Sequence, residues 1–64
     1  MKKFFWKDTS GRGFTNTFTE KDLAKIFKEE EDTNWDGETA SEWAEEAEVG
    51  DKWLNAANEI TRVD

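Results

Sequence analysis

The stretch Lys3-Phe4-Phe5-Trp6-Lys7-Asp8-Thr9-Ser10-Gly11-Arg12-Gly13-Phe14-Thr15-Asn16-Thr17-Phe18 decides the fold. Phe, Trp and Thr suit a pleated surface, and two glycines inside a polar run mark a turn. Residues 3–7 and 14–18 therefore read as the two strands of a hairpin. Its register follows from burial. Phe14, Asn16 and Phe18 share one face because strand side chains alternate. An odd-length loop, such as Ser10-Gly11-Arg12, sets Phe4 and Trp6 on that face, whereas an even loop sets Phe5 there. Burying four large aromatics outweighs burying three, so the odd register is expected. Phe5 then lies on the opposite face, covered by something else or exposed.

Downstream, Thr19 caps a first helix, with Asp22 three residues on as a short-armed capping box. Phe18 and Leu23 flank this cap as a hydrophobic staple. The helix is expected from about Glu20 to Glu31, with Leu23, Ile26, Phe27 and the stem of Glu30 on its buried stripe. A polar link, Asp32 to Gly37, leads to a second cap, Thr39, with Glu42 completing Thr-x-x-Glu. Ala40, Trp43, Ala44 and Ala47 should face inward, Trp43 as the main plug, and Gly50 should end this helix in a left-handed conformation. In the tail, Trp53, Leu54, Ala57 and Ile60 fit a helical period. Ile60-Thr61-Arg62-Val63 instead looks like strand, and Ala57-Asn58 can turn a hairpin, so two short strands are preferred. The expected fold is α+β: one domain over residues 1–64, a small antiparallel sheet (ββααββ) covered by two helices.

Composition narrows the chemistry. Of the 64 residues 34% are hydrophobic, and five Phe and four Trp must carry most of the core. A domain this small buries only about 60% of its unfolded surface and is marginally stable. There is no Cys and no His, so disulfides, thiolate nucleophiles, zinc fingers and the usual general base are missing. Ser10 and Ser41 have nothing to activate them. Paired glutamates need a desolvated cleft to act as acid and base, and so short a chain is not expected to build one. No catalytic residue, cofactor or metal is expected. Met1-Lys2-Lys3-Phe4-Phe5-Trp6 opens like a secretory signal, but Lys7 and Asp8 end the apolar run. No stretch approaches a membrane span. A cytoplasmic address follows.

The net charge of −7 is unevenly spread. Lys2, Lys3, Lys7 and Arg12 face only Asp8 in residues 1–13, whereas residues 20–51 carry thirteen acids against Lys21, Lys25 and Lys28. Glu29, Glu30, Glu31 and Asp32 close the first helix, and Glu45, Glu46 and Glu48 close the second. Acids there oppose the helix macrodipole, and breaking a local rule points to function. Glu38, Glu42, Glu45 and Glu46 are also expected along one face of the second helix, about one charge per 4 Å of axis, close to the 3.4 Å phosphate spacing of a DNA strand. The expectation is that a partner's cationic surface is what makes these glutamates worthwhile. The plain alternative is solubility.

Three features compete with that face. Asp32-x-Asn34-x-Asp36-Gly37 matches the opening of an EF-hand calcium loop, but the closing bidentate Glu is replaced by Trp43. Residues 32–42 are therefore read mainly as turn and cap, with weak calcium binding as an alternative. Trp35 is read first as a core plug and second as a contact residue. The basic N-terminal cluster is interleaved with aromatics, as in sheets that bind single strands. The surrounding acidic field argues against direct nucleic-acid binding.

The run from Trp43 to Trp53, ending in Ile60-Thr61-Arg62-Val63, resembles the C-terminal half of small acidic proteins carried by bacteriophages and mobile elements. The resemblance covers about the last thirty residues and implies a host-directed accessory role, with no residue assigned a task. The expected function is a non-catalytic acidic binding protein, monomer or weak homodimer. It would dock on, and inhibit, a basic and nucleic-acid-binding host protein. Glu29, Glu30, Glu31, Glu38, Glu42, Glu45, Glu46, Glu48 and Trp35 are its candidate contacts. Self-association through Phe5 or a sheet edge is the remaining alternative.

Overall fold

Alternation of side chains along β1 (Lys3–Asp8) and β2 (Thr15–Thr19) sets the first layer. The computed structural model describes residues 2–26 and 33–64. Phe4 lies opposite Phe18, Phe5 opposite Thr17 and Trp6 opposite Asn16, which is the odd register. Phe4 is fully buried, and Trp6 stacks on Phe18 at 5.8 Å between ring centroids. Phe14 departs from expectation. It precedes β2 and is 59% exposed. At that end the inward position across from it is Asp8, whose carboxylate turns onto the Ser10 amide and hydroxyl, so no apolar neighbour receives the Phe14 ring.

The chain runs β1, β2, α1 (Glu20–Ile26), α2 (Ala40–Glu46), β3 (Lys52–Leu54) and β4 (Asn58–Arg62). The sheet is antiparallel in the order β2-β1-β4-β3, so the first and last strands form its centre. Trp6 meets Ile60, and Ile60 meets Trp53. Phe4, Trp53 and Ile60 on one sheet face join Leu23, Ala40, Ala44 and Ala47 of the helical segment in a single buried cluster. Trp6, Phe18 and Trp43 pack against it.

Both helices start where their caps require. The Thr19 amide donates to Asp22 Oδ2 at 3.0 Å, and the Asp22 amide donates to Thr19 Oγ1 at 3.3 Å. Among the described residues of α1 only Leu23 is fully buried. Ile26, expected beside it, is 50% exposed, because three residues turn a helix by 300° and carry Ile26 to the rim of the contact line. Residues 27–32, including Phe27 and the acids expected to close this helix, lie outside the described residues. In α2 the Glu42 amide donates to Thr39 Oγ1 at 3.2 Å, and the Thr39 hydroxyl donates to Glu42 Oε1 at 3.1 Å.

Three expectations about the second half need correction. Trp43 is half-buried, edge-on to Phe4 at 5.5 Å, and the main plug is the fully buried Trp53. Trp53 also satisfies its indole, which donates to the Glu38 carbonyl at 3.1 Å. Secondly, α2 stops earlier than Gly50: Ala47 turns extended, with ψ 138°. Gly50, at φ 96°, instead serves the next turn, where the Asp51 amide donates to the Glu48 carbonyl. Thirdly, the β3–β4 connection is built by Asn55, whose Oδ1 accepts from the Ala57 and Asn58 amides at 2.9 Å each.

Candidate partner-binding site

Trp35 is the most exposed large apolar side chain among the described residues, at 79%, which overturns its reading as a core plug. The backbone explains why. Asn34 Oδ1 accepts from the Asp36 amide at 3.0 Å and the Glu38 amide at 2.9 Å. The Gly37 amide donates to the Asn34 carbonyl, the Asn34 amide to the Glu38 carbonyl, and Thr33 bridges Thr39. Trp35 therefore sits at the tip of a short, internally bonded turn whose base is the cap of α2. Gly37, at φ 81°, supplies the left-handed residue that closes it.

The same bonds bear on the calcium reading. The Asn34 carboxamide oxygen is spent on two amides, and Thr39 is spent on capping. Asp32, the first position of that loop, lies outside the described residues.

The acidic face is smaller than the sequence suggests. Glu42, Glu45 and Glu46 are exposed on α2, on the side away from the buried Ala40, Ala44 and Ala47. Glu38 is not in line with them: it precedes the helix and is half-buried, with its carbonyl engaged by Trp53. Glu48 follows the Ala47 cap and belongs to the next turn. The expected four-charge row is thus a three-charge patch, because α2 has seven residues. Glu29, Glu30 and Glu31 lie outside the described residues.

The structure also supplies an internal reason for acids at the end of α2. Lys2 Nζ donates to the Ala44 carbonyl at 3.0 Å and the Glu45 carbonyl at 2.7 Å, and lies 3.7 Å from Glu20. The Arg62 guanidinium donates to the Ala47 carbonyl. Two cations from the central strands and their margin thereby cap the negative end of α2. The chain's own cations thus offset part of the cost of acids at this helix end. Reading along the chain missed this, because Lys2 and Ala44 are 42 positions apart.

A second surface was only half visible in the sequence. Lys3, Phe5 and Lys7 of β1 point away from the core, flanked by Thr15, Thr17 and Thr19 on β2. Glu59, Thr61 and Val63 flank them on the other side, with Lys52 and Leu54 beyond. None of the buried core residues belongs to this set, and Phe5, Leu54 and Val63 are exposed on it. This open sheet face carries three lysines against one glutamate. Lys52 is 3.8 Å from Glu59 and bonds Thr61, whereas Lys3 and Lys7 have no side-chain bond among the described residues. The alternation in Lys3-Phe4-Phe5-Trp6-Lys7 was the signal that could have found it.

The β2 edge is blunted. The Asp8 amide bonds the Phe14 carbonyl, so the outward amides of β2 belong to Thr15, Thr17 and Thr19. Thr17 donates to Asn16 Oδ1 and Thr19 to Asp22 Oδ2, which removes two of the three donors an added strand would need. Among the described residues two carboxylates are perturbed: hydrogen bonds from Ser10 hold Asp8, and those from Thr19 hold Asp22, below the ordinary carboxylate range. Both serve turns and caps rather than a site. Among the described residues no helix is long and apolar enough to cross a membrane. No protein-family model matches the chain, and no curated protein or solved structure matches it closely enough to be reported as a relative.

Proposed function

We propose that this chain is a non-catalytic, cytoplasmic binding domain that docks on a basic protein, with Trp35 as the anchor and Glu42, Glu45 and Glu46 as the charged rim. The observation that carries this reading is Trp35, a 79% exposed indole on a turn tied by Asn34 at the head of the acidic helix. The turn beneath Trp35 is already ordered by its own bonds, so docking need not order that backbone, and tryptophans are frequent hot spots of interfaces. The exposed glutamates of the helix that follows steer a cationic partner. A host-directed inhibitory role belongs to the same proposal.

The reading is tested with basic proteins of the cell that carries the chain, nucleic-acid-binding ones first. Affinity should fall steeply between low and high salt. Trp35→Ala should abolish most of it, and Glu42→Gln/Glu45→Gln/Glu46→Gln should remove its salt dependence. Retention of full affinity by both variants refutes the proposal.

A further inference from the structure

The open sheet face lies on the other side of the molecule from the acidic helix and needs its own account. We infer that it is a docking platform for single-stranded RNA, centred on Phe5. Among the described residues, Glu42, Glu45 and Glu46 of the acidic field lie on the helical side, and the open face holds one acid, Glu59. Even along its thinnest dimension the molecule measures 20 Å, and the Debye length at physiological salt is about 8 Å. Glu42, Glu45 and Glu46 lie on the side of α2 away from the core, so a ligand on the sheet senses first Lys3 and Lys7, and Lys52 with its partner Glu59.

Geometry selects the occupant. Lys3 and Lys7 are four residues apart on one strand, about 13 Å, with the Phe5 ring midway between them. Phe5 is 39% exposed, enough to offer a flat surface to a base, and aromatic–base stacking tolerates any sequence. Threonine hydroxyls border the ring on both sides, at Thr17 and Thr61. A hydroxyl both donates and accepts, which suits the ribose 2′-OH. A second copy of the chain fits poorly. The four strands span roughly 300 Å² of sheet plane, against about 800 Å² per partner in a stable interface. Face-to-face copies would also oppose lysine to lysine.

The test is fluorescence anisotropy of the full chain with a labelled single-stranded RNA of about twelve nucleotides. With Lys3 and Lys7 on phosphates and Lys52 engaged by Glu59, log affinity should fall with log salt at a slope near −1.4, about sevenfold between 50 and 200 mM. Lys3→Gln/Lys7→Gln should bring the slope close to zero, and Phe5→Leu should weaken binding about tenfold. The lysine variant changes two exposed, unpacked positions, so it reports even if Phe5→Leu melts. Glu42→Gln/Glu45→Gln/Glu46→Gln should change affinity by less than about threefold, which separates this face from the acidic one. RNA should bind at least threefold tighter than DNA of the same sequence. The inference is overturned by any of four results: no binding at low salt; binding unmoved by both sheet variants; equal affinity for DNA or for an acidic peptide; or salt-insensitive self-association that the sheet variants abolish.

Discussion

Replacing Lys2 by Met keeps the apolar stem of the side chain and removes one of the two cations that cap α2. The ammonium makes bonds of 3.0 and 2.7 Å to two terminal carbonyls and sits 3.7 Å from Glu20. A hydrogen bond to a charged group contributes about 1.5–3 kcal/mol in favourable settings, and a cation at a helix C-terminus about 0.3–2. Lys2 and Glu20 side chains are 27% and 39% exposed, so their ion pair is heavily screened and adds well under about 1 kcal/mol. The expected loss is about 1.5–2 kcal/mol. For a domain of this size that is a melting-temperature drop of roughly 6–15 °C, from a total stability of only about 3–10 kcal/mol. Circular dichroism melts measure it directly. A second arm isolates the cause. In the Lys2→Met background, Glu45→Gln/Glu46→Gln should recover about 0.5–1 kcal/mol, since the acids then face a helix end that Arg62 alone offsets. In the wild-type background the same pair should be close to neutral. A melting shift under about 3 °C, or equal effects of the glutamine pair in both backgrounds, would show that Lys2 does not compensate the end of α2.

Trp53→Ala removes the largest fully buried side chain and should cost about 3–5 kcal/mol, leaving the chain largely unfolded at 25 °C by near-ultraviolet circular dichroism. Trp35→Ala, at an exposed tip, should change stability by less than about 0.5 kcal/mol while weakening partner binding at least about 30-fold. Asp8 and Asp22 titrate below the ordinary carboxylate range when folded. The unfolded chain therefore takes up their protons first as pH falls below about 4. Their contribution is complete above that pH and disappears as the folded groups protonate, so Asp8→Asn/Asp22→Asn should flatten the acid limb of a stability–pH curve. Millimolar calcium should leave the melting temperature unchanged, because Asn34 and Thr39 are committed to backbone amides; a rise would restore the calcium reading of residues 32–42.

The hairpin register and both helix starts could be read from residues because the forces that set them are local. Alternation along Phe4-Phe5-Trp6 and the reach of Thr19 to Asp22 and Thr39 to Glu42 involve at most a few neighbours. The two tail strands were legible for the same reason, though the Asn55 side chain moved their turn by one or two positions. Burial was another matter. Phe14, Ile26 and Trp35 carry large apolar side chains, yet all three are exposed, because the partner that would cover each must come from elsewhere in the chain. Trp53 won the centre of the core through an indole bond to a carbonyl 15 positions away. The acidic candidate site was visible as composition, but its shape was not. Only the pairing of the first strand with the last brings Lys2 and Arg62 to the end of α2 and leaves Lys3 and Lys7 on the open face of the sheet, away from Glu42, Glu45 and Glu46. Charge and cap signals act over one or two turns of chain, whereas the separation of charge in space depends on which strands become neighbours.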